Sequence, residues 1–152
     1  MGDGKIDAEP TANAMDQERV ESIKAGGLAA LTGTGVSAML IALHPHLLSA
    51  SALTTGILRV AVATVCAFLF GVTYRYIVRN DSNPHLRSGA VGAFALTRSL
   101  GQLESITPPD LALSGALPLA VPIVESFGLF ICIRLVLDWG LKQQWFQPFE
   151  SD

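Results

Sequence analysis

The chain has 152 residues, half of them apolar and only 15% charged, with a mean hydropathy of +0.44. A soluble domain of this size needs more polar surface, because a small globule buries only about two-thirds of what its chain exposes; a membrane protein is therefore the first expectation. A net charge of −3, with ten Lys and Arg spread thinly, excludes a nucleic-acid surface, which needs clustered cations. Neither a phosphate-binding loop nor a nucleophile–base pair signals an enzyme, and no cofactor is expected.

Charge distribution is more telling than its amount. Between Lys24 and Arg59 lie 34 residues without a formal charge, and between Arg59 and Arg75 another 15. Residues 1–24, by contrast, carry six acids (Asp3, Asp7, Glu9, Asp16, Glu18, Glu21) against three bases, and read as a flexible acidic head. An acidic start is unlike a secretory signal, and Ile6 stands where a myristoylation motif needs Ser or Thr. From Asp16, read as an N-cap, the spacing of Val20, Ile23 and Leu28 predicts a short amphipathic helix leading into the first apolar run.

Four segments then reach the length of about 20 helical residues that a hydrocarbon layer requires. The first covers 25–44 and ends at His44-Pro45-His46, a turn without the third ligand that a metal site needs. The second covers 55–77, followed by the polar hinge Arg79-Asn80-Asp81-Ser82-Asn83-Pro84. The third, 88–106, is the weakest, being interrupted by Arg98 and Ser99. The fourth, 112–138, holds Pro118 and Pro122 four residues apart, which predicts a kinked or opened first half. Trp139, Trp145 and Phe146 follow it, so the tail 140–152 is expected to lie flexibly or along the membrane surface; Tyr74 and Tyr76 mark the same level on the second segment.

Loop charges supply the orientation. The stretches 45–54 and 107–111 contain no Lys or Arg, whereas Lys5, Arg19, Lys24, Arg75, Arg79, Arg87, Arg134 and Lys142 surround the other ends. Four spans with both termini on the cytoplasmic or stromal side put all of these on one face, as the positive-inside rule prefers; three spans do not. The expected fold is thus an all-α bundle of four transmembrane helices, with the membrane domain at 25–139.

Small residues recur every fourth position, which lets helix backbones approach closely in lipid. Ala25, Ala29, Gly33 and Ser37 form one column, Ala63, Ala67 and Gly71 a second, and Gly89, Ala93, Thr97 and Gly101 a third. Spacing does not say whether a column meets another helix of this chain or a different subunit. Cys66 and Cys132, each alone in an apolar run, read as buried small hydrophobes.

Charges inside the spans are the sharper signal, since one at a helix centre costs on the order of 2.5–3.5 kcal/mol. Arg59 and Arg134 stand near helix ends and can snorkel, and Asp138 lies one turn from Arg134. Arg98 falls roughly 12 Å below the outer end of the third segment and Glu125 roughly 12–19 Å below that of the fourth. These two segments are joined by a short loop, so a buried Arg98–Glu125 ion pair is expected, either fixing helix register or serving as a relay.

The stretch from Tyr74 to Glu104 resembles a group of small multi-pass membrane proteins of cyanobacteria and plant chloroplasts. The likeness rests on the Arg-Asn-Asp-x-Asn-Pro hinge, the run Gly-Ala-Val-x-Ala-Phe at 89–94 and Arg98, and covers 31 of 152 residues closely. It implies a photosynthetic, thylakoid-type setting and no residue-level mechanism. The functional expectation is a non-catalytic accessory, scaffold or assembly component that meets other membrane subunits. A small permease or ion-conducting subunit using Arg98 and Glu125 is the competing reading.

Overall fold

A computed structural model describes residues 9–43, 50–78, 84–104 and 117–147. The His44-Pro45-His46 turn, most of the 79–84 hinge and the 107–111 loop lie outside these residues. Four helices make up the described chain: α1 (Glu9–Ala42), α2 (Ala50–Ile77), α3 (Pro84–Leu103) and α4 (Leu117–Lys142). α1 meets α2 and α4, α3 meets α4 and α2, and α2 and α4 touch across the short diagonal, while α1 and α3 are not in contact. Glu18 and Ser22 of α1 bond Arg75 near the end of α2, and Arg87 at the start of α3 reaches Asp138 near the end of α4. Consecutive helices therefore run antiparallel, and the start of α1 shares one end of the bundle with the end of α4.

Three of the helices are long and apolar enough to cross a membrane, over Met15–Ala42, Thr54–Ile77 and Leu119–Lys142. Their outward faces carry large aliphatic side chains such as Leu31 (75% exposed), Ile57, Leu58, Val65, Val124 and Leu135, while Ala25, Ala29, Ala63 and Ala67 are sealed inside. Large apolar groups outside and small ones within are the signature of an integral membrane protein, because lipid solvates Leu as well as another Leu does. α3 has 20 residues but includes His85, Arg87, Ser88, Thr97, Arg98, Ser99 and Gln102, which keeps its apolar character below that of the others.

Several boundaries differ from expectation for identifiable reasons. α1 is one helix from Glu9 onward, so Asp16 is an interior residue rather than an N-cap and the described part of the acidic head, 9–24, is helical. No breaker stands between Asp16 and the apolar run except Gly26-Gly27, and Gly26 is held against α2: a Cβ there would lie 2.7 Å from the Phe68 ring. α4 is assigned as continuous through both prolines. Pro118 falls in the first turn, where an N–H has no intrahelical acceptor, so only Pro122 costs a bond.

The core changes character from one side to the other. Between α1 and α2 it is built from small residues, with Thr34 and Thr64 hydroxyls 2.7 Å apart. Among α2, α3 and α4 it is aromatic: Phe70, Phe94 and Phe130 have centroids 5.2–5.7 Å apart. Edge-to-face and tilted contacts of this kind add to simple area burial. Exposed Thr73 and Thr97 donate to the carbonyls of Leu69 and Ala93 at 2.8 and 2.9 Å, which lets a hydroxyl stand on an outward face without an unsatisfied proton.

Candidate functional site

Arg98 is half-buried on α3, five residues or about 7.5 Å from the end of the helix. Its Nη1 donates to Ser126 Oγ on α4 at 3.0 Å, and with the Gln102 amide oxygen turned towards it the same nitrogen donates there at 2.6 Å. Nε is buried without an acceptor. α3 and α4 are adjacent as expected, but no ion pair joins Arg98 to Glu125. The guanidinium goes instead to the residue after Glu125, whose position one step further around α4 turns its side chain into the bundle. Ser126 is buried, whereas Glu125 is only partly covered. Spacing along each helix had fixed the level correctly and the helix face wrongly.

The dense polar groups lie at the other end. Arg75 is fully buried, and its guanidinium is surrounded: Nη2 pairs with Glu18 Oε2 at 2.5 Å, Nη1 donates to the Glu18 carbonyl (2.9 Å) and Ser22 Oγ (2.8 Å), and Nε donates to the Gln147 carbonyl (2.7 Å). Charge-assisted bonds to several acceptors are what allow an arginine to be dehydrated. Glu21, paired with Lys24 at 2.7 Å, accepts from the Gln147 N–H at 3.1 Å. One side chain of α2 thus holds the first third of α1 and the segment after α4.

Its neighbour in sequence builds a second knot. Tyr74 is 1% exposed and its hydroxyl donates to Asp138 Oδ1 at 2.6 Å. Arg87 Nη1 and Arg134 Nε approach the two Asp138 oxygens at 3.6 Å each. The Arg134–Asp138 neighbours on α4 are therefore part of a group spanning α2, α3 and α4. Tyr74 is a buried tie and not an interfacial ring, whereas Tyr76 is half exposed. Arg98 and Arg87 are 11 residues apart on α3, about 16 Å, and the Phe70–Phe94–Phe130 cluster stands in the core among α2, α3 and α4.

Residues 143–147, the described part of the expected 140–152 tail beyond α4, are held against the bundle. Trp145 N–H bonds the Gly140 carbonyl and Gln144 N–H the Leu141 carbonyl, with Gln144 in the left-handed region at φ 56°; these are the two bonds of a Schellman stop. Phe146 then folds back, 3% exposed, into a slot where a Cβ on Gly140 would meet its ring at 2.9 Å and Leu28 at 3.1 Å. Trp139 and Trp145 stand edge to face at 4.9 Å and half exposed, as interfacial aromatics do. The burial of Arg75 and Phe146 was not expected from the sequence.

Two of the small-residue columns face each other. A Cβ on Gly33 would lie 2.5 Å from the Ala67 Cβ, and one on Gly71 would lie 2.6 Å from both the Ala25 carbonyl and the Ala29 Cβ. Ser37 is buried as well. The third column points away from the bundle: Gly89, Ala93, Thr97 and Gly101 are exposed, and neither glycine has an atom within 4 Å of its virtual Cβ. The cysteines differ from expectation. Cys66 is half-buried and Cys132 is exposed on α4, which costs an apolar residue nothing where lipid is the solvent. No family model matches the chain, and neither a curated protein nor a solved structure is significantly similar to it.

Proposed function

We propose that this chain is a four-span membrane protein with both termini on the cytoplasmic or stromal side, acting as a non-catalytic accessory or assembly subunit of a larger membrane complex. The observation that carries the reading is the outward column on α3. Two equivalent columns are consumed in the α1–α2 contact, and the third offers the same close backbone approach to something outside the bundle. α3, about 30 Å long, matches the hydrocarbon thickness; Arg98 and Ser99 turn towards the bundle, and the outward face carries the small-residue column beside Leu96 and Leu100. A neighbouring protein helix fills the groove that these small residues leave along that face. The aromatic packing of Phe70, Phe94 and Phe130 among α2, α3 and α4 supports this reading over a conducting subunit.

Purification of the tagged full chain in mild detergent tests it. A discrete complex with different membrane subunits is expected, and Ala93→Leu or Gly101→Leu should remove the partners while the chain itself still accumulates. A homo-oligomer alone, indifferent to both substitutions, would overturn the proposal in favour of a self-assembling permease.

A further inference from the structure

Two segments far apart in sequence, Glu18–Ser22 and Gln147, are held by a single planar group. Glu18 fixes the Arg75 guanidinium through two separate acceptors, its own carbonyl and its carboxylate, and this sets the direction in which Nε points at the Gln147 carbonyl. Glu21, one turn further along α1, takes the N–H of the same residue. Both main-chain groups of Gln147 are therefore bound by side chains whose placement depends on the first third of α1.

We propose that residues 143–147 form a releasable clasp, coupled through Arg75 to the Glu18–Lys24 arm of α1, so that freeing either segment loosens the other. Three features make it a clasp and not a continuation of α4. Gln144 adopts a backbone conformation that a residue with a Cβ enters at a cost, so the closed form is held against local preference. Phe146 is the one buried ring of the clasp, seated in a slot formed by Gly140 and Leu28, while the Trp145 ring meets Trp139 on the half-exposed outer side. The remaining bonds are to main-chain atoms and lie beside partly exposed carboxylates, Glu18 at 32% and Glu21 at 13%, so water can replace them when the ring leaves.

Coupling between two segments is reciprocal, because the free energy by which one orders the other has the same value in both directions. Amide hydrogen exchange on the full chain in detergent micelles reads both sides. Glu18→Gln touches neither tryptophan nor any atom of the clasp, yet it should lower protection of the Trp145 and Gln147 amides by about fivefold or more, the lower end of usual coupling strengths. Phe146→Ala should lower protection across Glu18–Lys24 by a similar factor. Arg19→Gln, which removes only an exposed pair with Asp16, should change neither. Unchanged clasp protection in Glu18→Gln, or an unchanged arm in Phe146→Ala, would refute the coupling. Equal loss extending to α3 would also refute it, because that is global opening.

Discussion

Gly71→Ala places one methyl group where the small-residue contact between α1 and α2 has no room. The new Cβ would lie 2.6 Å from the Ala25 carbonyl oxygen, 2.6 Å from the Ala29 Cβ and 3.0 Å from the Gly26 Cα. All three are backbone or Cβ atoms, so no rotamer change relieves the clash, and α1 must retreat by about 1 Å to restore contact distances near 3.5 Å. Such a gap forfeits roughly a quarter to a half of the dispersion at each facing pair, and it stretches the 2.7 Å Thr34–Thr64 bond beyond hydrogen-bond range. Overpacking of this kind costs about 1–3 kcal/mol and the lost interhelical bond about 0.6 more, while the better helix propensity of Ala returns up to about 1. The net expectation is a loss of about 1–3 kcal/mol, measured by titrating the purified protein with SDS in mixed micelles and following far-UV circular dichroism. Gly92→Ala is the matched control. Nothing lies within 4 Å of its virtual Cβ, so only propensity acts and the variant should gain about 0.5–1 kcal/mol. A Gly71→Ala protein as stable as Gly92→Ala would refute the close α1–α2 contact.

Tyr74→Phe keeps the ring in its place and removes a 2.6 Å donor from Asp138, so the same titration should show a loss of about 1.5–3 kcal/mol; a change under 0.5 would mean that Asp138 is served by Arg87 and Arg134 alone. Ser126→Ala should cost about 1 kcal/mol in the native background and nothing in an Arg98→Leu background, since the hydroxyl then has no cation to serve. Additive losses would show that the two side chains do not interact. Gln144→Gly relieves the left-handed backbone penalty and should raise stability by about 0.5–1 kcal/mol, whereas a loss would show that the Gln144 side chain has a stabilising contact.

What the sequence makes legible here is level, and what it hides is facing. Hydropathy located the end of α2 at Ile77, though not its start at Ala50, and loop charges grouped Arg75, Arg87, Arg134 and Lys142 together, because both signals depend only on position along the chain. Whether Arg75 looks outward or into the bundle depends on partners 53, 57 and 72 residues away, which no local pattern registers. The Arg98 expectation missed by a single residue for the same reason: consecutive positions on α4 share a level but diverge by 100° in direction. Fourfold spacing identified all three small-residue columns and could not tell the two that meet from the one that faces outward. The continuity of α1 was available in principle, since its glycine pair is not followed by a proline or a polar turn. The αL residue that stops α4 was not, because Gln is an unusual occupant of a position that favours Gly.

The central claim is that all four helices cross the membrane with both termini on one side, and α3 is its least apolar element. Reporters of compartment placed at the N-terminus, within 44–49, within 79–83, within 107–111 and at the C-terminus read this directly. The account predicts that the termini and 79–83 report one compartment and that 44–49 and 107–111 report the other. Should 107–111 share a side with 79–83 and the C-terminus lie opposite the N-terminus, α3 does not span and the bundle has three crossings.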